Sequence, residues 1–360
     1  MSGDAVGGWA RFKDGVAGAA GDVVRPERIV LACSHTHCAP ESVALSNLYE
    51  TPAYQSWVAL LESRIGQAIR EAAGTLRPCR LAYGSTAAPG WGIHRRIQTS
   101  RGVLLSHPPP PDDIVLSRDG PIDDSVNVLV ARDLRDENLV IATVVNATCH
   151  PVHEMCIPRV SADYPGVVSE RLEAAHPGSV ALFLNGAAGN INPTTVSAGA
   201  DASRRHGLAL AAVVEGLLTA GEGLMDCEGV AFGRRAVTLP TRLPNGRPEG
   251  RVLRAEVAAL RVGQASFVFL PGEPFVETGL KLRARSPFDL TAVVGYAEDY
   301  IGYVPTDAAF AEGGYETAFG KWSVLGVGSE PKLRREARAL LKALHGPARP
   351  SSSLAGLASD

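Results

Sequence analysis

The sequence predicts a mixed α/β protein, with helices packed on a mixed sheet in a single large domain. Apolar residues recur at helical spacing from 53 to 73. Short apolar runs typical of buried strands alternate with predicted helices, and no Pro- or Gly-rich linker divides the 360 residues. The composition, 45% hydrophobic and 20% charged, is ordinary for a globular protein with a substantial core.

Each predicted element has a local signal. In chain order, the predicted helices are 53–73, 164–175, 203–218, 273–285 and 331–344. The predicted strands are 77–83, 126–132, 139–145, 180–184, 230–239, 252–262, 265–270 and 290–294. The polar residues 135–138 and the pair Gly263-Gln264 are typical hairpin turns. Four consecutive prolines, 108–111, exclude a helix or central strand, so 89–124 is predicted to be a surface excursion.

Charge and terminal patterns narrow the class of protein. A formal net charge of −3 and a pI of about 6.3 argue against nucleic acid or an anionic membrane as a partner. The first residues lack the pattern of a signal peptide, and no apolar run reaches the roughly 18 residues of a membrane span. We therefore expect a cytoplasmic protein with reduced thiols, or a secreted one if the N-terminus is truncated. We divide the chain into a lead (1–27), a catalytic domain (28–345) and a disordered tail (346–360).

The motif His35-Thr36-His37 directly follows the apolar run 29–33 and Ser34. In an extended chain, side chains at positions i and i+2 point to the same face, so both imidazoles would emerge together at a strand end. Neutral imidazole is a common metal ligand. The alternative is that one histidine merely forms a hydrogen bond in a loop.

Two further strand exits carry metal-ligand residue types. The run 139–145 leads to His150, and the run 267–270 leads to Glu273. Histidine and carboxylate ligands with one open position for water are typical of a zinc site. The loop 186–189 lacks a nucleotide-binding spacing, so its backbone N–H groups are candidate donors to an oxyanion. The neighbouring Cys38 and Cys149 are interpreted as small apolar fillers.

Motifs in a fixed order resemble the neutral/alkaline non-lysosomal ceramidase family, and more closely its uncharacterised bacterial members. The matching segments are Ser34-His35-Thr36-His37-Cys38-Ala39-Pro40, Trp91-Gly92-Ile93-His94-Arg95-Arg96, Gly120-Pro121-Ile122-Asp123, Cys149-His150-Pro151, Ser161-Ala162-Asp163-Tyr164-Pro165-Gly166, Leu184-Asn185-Gly186-Ala187-Ala188-Gly189-Asn190-Ile191-Asn192-Pro193, Pro271-Gly272-Glu273, Tyr303 and Tyr315. Each motif is weakly specific, whereas the ordered set, roughly residues 28 to 325, is quite specific.

The resemblance implies a zinc-dependent amidase that cleaves the N-acyl bond of ceramide or a similar small or lipid-like substrate. It implies zinc (Zn2+) ligands at His35, His150, Glu273 and Tyr303. It implies substrate-side residues that handle protons and the oxyanion at His37, Arg95 and Tyr315. From the residues themselves, Arg96 remains an alternative to Arg95, and a surface ion pair is the alternative role for either.

The chain departs from the family pattern at defined positions. The family begins with a further N-terminal segment, which predicts truncation or a remodelled sheet edge here. Asn190 replaces an aspartate, His94 replaces an asparagine, and Cys38-Ala39 replace a serine and a glycine. A changed substrate is expected from these differences. The alternatives are an ester or lactone hydrolase with the same zinc site, another class of metal hydrolase, and a non-catalytic degenerate relative.

Overall fold

A computed structural model describes residues 4–40, 47–155, 157–221 and 223–346. The helices in these ranges are α1 (Asp4–Ala20), α2 (Pro52–Gly74), α3 (Asp163–Ala175), α4 (Ala200–Ala220), α5 (Val276–Arg283), α6 (Asp307–Glu312) and α7 (Ser329–His345). The strands are β1 (Cys79–Ala87), β2 (Gly92–His94), β3 (Arg96–Thr99), β4 (Gly102–Leu105), β5 (Val115–Ser117), β6 (Ser125–Asp133), β7 (Val140–Ala147), β8 (Val180–Asn185), β9 (Ile191–Pro193), β10 (Met225–Cys227), β11 (Val230–Arg242), β12 (Pro248–Val262), β13 (Ala265–Phe269), β14 (Glu273–Pro274), β15 (Leu290–Val294) and β16 (Tyr303–Val304).

Two sheets form the centre of the molecule, in the orders β10-β1-β6-β7-β8 and β11-β12-β13-β15. Each sheet is antiparallel apart from one parallel pair, β7 with β8 and β13 with β15. Side chains of both sheets, including Tyr83, Leu129, Leu260 and Phe267, share one apolar cluster, so the sheets pack face to face. The mixed α/β prediction is confirmed. The structure has two main sheets where a single mixed sheet was predicted.

Helices cover both outer faces, which makes four layers. Val126, Val128 and Val130 alternate along β6 with residues of the inner face and pack under α3 and α4. On the other sheet, α7 buries Leu333 and Leu340 against β11 and β12. An apolar stripe at helical spacing therefore meets a period-2 strand face on both sides of the molecule.

Several local predictions agree with the structure. Helix 53–73 is α2, the hairpin around 135–138 joins β6 to β7, and Gly263 turns between β12 and β13 with a φ of 58°. The helix predicted to begin at Glu273 instead begins at Val276, after the short strand β14. The predicted tail from 347 onward lies outside the described residues.

The prediction for residues 89–124 as a surface excursion is wrong in part. This stretch forms the small sheet β4-β3-β5, and its strand β2 pairs with β9. Arg95 and Arg96 lie at the start of this sheet and are buried. Strands of three or four residues are too short for periodicity to reveal, and the four prolines restrict only their own positions.

The predicted lead contains helix α1, which packs along α2 and against residues that precede His35. Val16 and Ala20 are buried there with Ile29, and Ile65 of α2 packs on them. A Cβ at Gly66 would lie 2.5 Å from a backbone carbon of Ala19, so glycine permits this close helix contact. Among the described residues, every helix is too short or too polar to cross a lipid bilayer.

The carboxyl ends of the two parallel strand pairs meet at one edge of the sandwich. Gly186 at the end of β8 donates its N–H to Ala147 O of β7 at 2.9 Å. Gly295 at the end of β15 donates its N–H to Asn185 O at 3.0 Å, which joins the two sheets. In α/β proteins this edge is where ligands bind, and the chain delivers its candidate site residues here.

Candidate metal centre

His35 and His37 converge, but not through strand alternation. The apolar run before them makes only an isolated bridge, between Ala32 and Ala297. At His35 the backbone turns left-handed, with a φ of 69°. The Nε2 atoms of His35 and His37 lie 3.2 Å apart. The prediction that both rings emerge together agrees with the structure, whereas the extended geometry assumed for it is wrong.

His150 is oriented by its own backbone surroundings. Its Nδ1 lies 2.7 Å from Ala188 O and 3.0 Å from Ile191 O, and since a carbonyl only accepts, Nδ1 carries the proton. Nε2 is therefore the unprotonated nitrogen, as in a metal-ligating histidine, and it accepts from Arg95 Nη1 at 3.3 Å. Burial, together with the charge of Arg95, lowers the pKa of His150 to about 4, so the ring is neutral at pH 7.

The loop 186–189 contributes differently from its prediction. The N–H groups of Gly186, Ala188 and Gly189 each donate to a backbone carbonyl of the protein. They are therefore not available to an oxyanion, and that interpretation is wrong for these three groups. The contribution of the loop to the site is a carbonyl, Ala188 O, which fixes the tautomer of His150.

Glu273 brings a buried carboxylate to the two imidazoles. Its Oε2 lies 3.3 Å from His35 Nε2 and 3.4 Å from His150 Nε2, yet accepts no hydrogen bond from the described residues. Its Oε1 accepts from the hydroxyl of Tyr300 at 3.3 Å. Burial opposes ionisation, but the electrostatic interaction with His35 outweighs it and holds the pKa of Glu273 well below its usual range. The group is an anion that lacks a partner at one oxygen.

The donor set fits a metal ion. His35, His37 and His150 each offer one nitrogen, and these atoms all lie within 4.8 Å of one another. Ligand atoms about 2.0–2.1 Å from a tetrahedral zinc lie about 3.3 Å from each other, close to the spacings of 3.3 and 3.4 Å that separate Glu273 Oε2 from His35 Nε2 and His150 Nε2. Glu273 Oε2, which accepts no hydrogen bond from the described residues, adds the negative charge that such a site needs. The structure therefore holds a histidine group suited to a metal, with His37 within reach as well.

Arg95, not Arg96, faces this group. Arg95 Nη1 lies 3.3 Å from His150 Nε2, and its Nε donates to Glu316 Oε1 at 2.8 Å. Arg96 turns the other way and donates to Glu316 Oε2 at 2.8 Å and to Glu312 at 3.0 Å. Both arginines are buried, so the alternative of a surface ion pair is wrong for each. The Glu316 carboxylate accepts from both guanidinium groups, one at each oxygen, and so orients Arg95 toward the histidines.

The two candidate tyrosines differ in exposure. Tyr303 is buried beside Glu273, because β16 pairs with β14 in register, and its hydroxyl accepts from Arg95 Nη2 at 2.9 Å. Tyr315 is 42% exposed and stacks on Trp322, with ring centroids 5.7 Å apart. The two tyrosine rings are 5.9 Å apart. Tyr303 thus lies next to Glu273 in the candidate metal centre, whereas Tyr315 lies toward solvent.

Two departures from the family motif contact each other. Asn190 Nδ2 lies 3.1 Å from His94 Nε2 and donates to Glu277 Oε2 at 2.9 Å. The backbone N–H of Arg95 donates to Asn190 O at 2.9 Å. His94 therefore belongs to a hydrogen-bonded group behind Arg95 and not to the histidine group. Its imidazole does not join the proposed ligands.

Sequence reasoning missed four residues that shape the site, namely Asn192, Tyr296, Tyr300 and Glu316. Asn192 Oδ1 accepts from Arg95 Nη1 at 3.3 Å, and Tyr296 stacks on the His35 ring at 4.1 Å. None of the four belongs to a periodic pattern or a ligand-type motif. The nearest signal is position, since Asn192 belongs to a matched segment without an assigned role and Tyr300 lies three residues before Tyr303.

Comparisons with known proteins agree with the resemblance. No protein-family model matches the chain. A neutral ceramidase of Mycobacterium tuberculosis is 34% identical over 99 residues, which cover 25% of this chain and 16% of that protein. The crystal structure of neutral ceramidase from Pseudomonas aeruginosa matches 95% of this chain with a TM-score of 0.68 at 21% identity. A solved ceramidase complexed with C2 matches 95% of it with a TM-score of 0.70 at 20% identity.

These matches support a neutral ceramidase-like family and show that the chain shares its mixed α/β fold, in one domain, with solved neutral ceramidase structures. The chain spans 66% and 67% of the two solved structures and a smaller share, 16%, of the curated relative.

Proposed function

We propose that this ceramidase-like chain is a zinc-dependent hydrolase that cleaves the amide bond of an N-acyl amine. One observation carries the proposal, which is the convergence of Glu273 Oε2 with His35 Nε2 and His150 Nε2 at 3.3 and 3.4 Å. A buried carboxylate oxygen without a hydrogen bond is costly unless a ligand satisfies it. The likeness to neutral ceramidases supports zinc as that ligand and an N-acyl amide as the substrate class.

The residues divide into metal-holding and substrate-side groups. His35, His150 and Glu273 would hold the ion, with Tyr303 as the further ligand that the resemblance implies. When bound, zinc lowers the pKa of a water and polarises a carbonyl. The protein prepares its ligands beforehand, since His150 is neutral and Glu273 is ionised at pH 7.

His37 is suited to move a proton between water and the leaving amine. His37 is an exposed residue, and its Nε2 lies 3.2 Å from His35 Nε2. Desolvation, followed by the charges of His35 and His150, lowers the pKa of His37. A neutral ring has a lone pair free to accept the proton of the attacking water, and it can return that proton to the amine nitrogen.

Arg95 is the donor to the oxyanion in this proposal. Its guanidinium is held by Glu316 and borders both His150 and Tyr303, so a fixed positive charge faces the reacting carbonyl. A buried cation of this kind needs no reorientation when negative charge develops on the substrate oxygen. Tyr315 adds a hydroxyl at the solvent side.

Aromatic side chains near Arg95 support a substrate with a hydrocarbon part. The Tyr315 ring centroid lies 6.0 Å from the Arg95 guanidinium carbon, and this ring is 42% exposed and stacks on Trp322. An exposed aromatic surface beside a charged centre suits a molecule with an apolar chain and a polar acyl-amine junction.

The test is metal content and hydrolysis, measured on the parent protein and on His35→Ala. We expect about one zinc per chain in the parent, largely lost in the variant, with hydrolysis of N-acyl amines lost in parallel. His176→Ala is the matched control, because His176 is partly exposed and lies beside Glu215, away from the site. A panel of matched esters separates amide from ester specificity. A parent that binds no metal after zinc supplementation contradicts the proposal.

A further inference from the structure

The segment Gly295–Gly302, here called the ligand-support loop, connects β15 to β16 and bonds to both ligand-bearing segments. Tyr296 N–H donates to Gly272 O at 2.9 Å, directly before Glu273, and Tyr296 O accepts from Cys33 N–H at 3.0 Å. Glu298 N–H donates to a carbonyl of the segment that leads to His35, at 2.8 Å. One loop therefore ties together two chain regions that meet at the metal centre.

Two side chains of the loop contact the proposed ligands. The Tyr296 ring stacks on the His35 imidazole, with centroids 4.1 Å apart and planes 20° apart. The Tyr300 hydroxyl donates to Glu273 Oε1 at 3.3 Å. As a result, one carboxylate oxygen of Glu273 is occupied, and the other, Oε2, is left to face the histidines.

The backbone here adopts costly conformations. Five non-glycine residues in the described ranges have positive φ, and three of them, His35, Tyr296 and Glu298, belong to this assembly. Such conformations persist only where the surroundings impose them, and they concentrate at functional sites.

A buried ion group holds the loop from outside. The Glu298 side chain is 2% exposed and accepts from Lys13 Nζ of α1 at 2.7 Å and from Arg234 Nη2 of β11 at 3.1 Å. Arg234 also donates to Ile29 O, in the segment before His35. Helix α1 and the second sheet are thereby coupled to the loop that contacts the ligands.

We propose that Tyr300 and Glu298 are positioning residues of the metal centre, Tyr300 by orienting the Glu273 carboxylate and Glu298 by anchoring the ligand-support loop to α1 and β11. This inference rests on the proposed function. Tyr300→Phe frees Glu273 Oε1, so the carboxylate is no longer held in one orientation. Glu298→Gln removes the charge that attracts Lys13 and Arg234. Loss of such outer interactions weakens metal binding about 10- to 100-fold.

The experiment measures zinc affinity by competition with a chelator, and the visible absorption spectrum of the cobalt(II)-substituted protein. Tyr83→Phe is the control for Tyr300→Phe, because Tyr83 also donates to a carboxylate, Asp289, at 3.3 Å but lies elsewhere. Glu336→Gln is the control for Glu298→Gln, since Glu336 pairs with Arg235, the neighbour of Arg234 on β11. Thermal unfolding of each metal-free variant checks that it is folded.

We expect zinc affinity to fall at least about tenfold in Tyr300→Phe and Glu298→Gln, with a changed cobalt spectrum in Tyr300→Phe and parental values in both controls. Parental zinc affinity and cobalt spectrum in a folded Tyr300→Phe would overturn the inference and leave the proposed function intact. A parent protein that binds no zinc would overturn both. If Glu298→Gln fails to fold, Tyr300→Phe alone decides the outcome.

Discussion

His150 and His153 leave the same strand three residues apart and enter two histidine groups with opposite properties. In the first group, His150 Nε2 lies beside His35 and Glu273, and Glu273 Oε2 accepts no hydrogen bond from any residue that the structure describes. In the second, His153 Nε2 pairs with His206 Nδ1 at 3.0 Å, and His153 Nδ1 pairs with Thr195 at 2.9 Å. Both nitrogens of His153 are therefore satisfied within the protein.

The second group is also closed by aromatic rings. His206 is stacked between Trp91, with centroids 4.7 Å apart, and Tyr164, at 4.0 Å. It is 3% exposed, which leaves no open face for a ligand. The comparison teaches that a metal-binding group is recognised by convergent unprotonated nitrogens and a buried carboxylate oxygen without a hydrogen bond, and that clustered histidines alone do not make one.

The largest effect is expected at His37, whose nitrogen is close enough to be a ligand but is proposed to be the proton carrier. His37→Gln should lower hydrolysis about 100-fold or more while zinc content stays near that of the parent. Zinc analysis of the variant beside its activity on an N-acyl amine measures both. Loss of zinc would instead make His37 a ligand and enlarge the metal-binding group.

A smaller effect, on stability alone, is expected at His206. His206→Ala removes the ring stacked between Trp91 and Tyr164 and the partner of His153, and should lower the free energy of unfolding by about 2–4 kcal/mol. Urea unfolding measures this change. Zinc affinity should match the parent, and a folded variant that had lost zinc would erase the distinction between the groups.

A third effect, on the pH dependence of stability, is also expected at His206. Burial, and then His153, lower the pKa of His206 to about 3, below the ordinary value of about 6.5 in the unfolded chain. Between these values the unfolded state binds the extra proton, so stability falls as pH decreases, by about 1.4 kcal/mol per pH unit for this group. Metal-free His206→Phe, which keeps an aromatic ring in the stack, should lose less stability than the parent between pH 6 and 4 in urea titrations. An equal loss would assign the dependence to other groups, such as His150.

His150 and Glu273 were accessible to sequence reasoning because each follows a strand, whereas His35 follows an apolar run that forms only an isolated bridge. Carboxyl ends of parallel strands share one edge of a sheet, so apolar runs that end near His150 and Glu273 predict their proximity. The structure brings these two residues together with His35, although their assignment as zinc ligands remains a prediction. The family resemblance further predicted Arg95, Tyr303 and Tyr315 as residues of the site.

Other residues of the site had no signal in the sequence. Glu316 lies 221 residues from Arg95, and Tyr300 lies 27 residues from the carboxylate it holds. Each is a single polar residue without periodicity, and its role depends on a partner that chain folding brings near. The short strands around Arg95 were missed for a related reason, since three or four residues contain too few alternations to count.

Local patterns established the helices, the hairpins and the strand exits, because burial of one face imposes a period of 3.6 or 2 residues on the sequence. Three-dimensional packing established which of two neighbouring histidines offers a lone pair, which of two adjacent arginines faces the site, and that two sheets rather than one form the core. Periodicity encodes which face of an element is buried, but not which distant side chain lies opposite it. Which distant side chain lies opposite decides whether a buried polar atom has a hydrogen-bond partner. The presence or absence of such partners distinguishes the candidate metal centre from the closed histidine pair beside it.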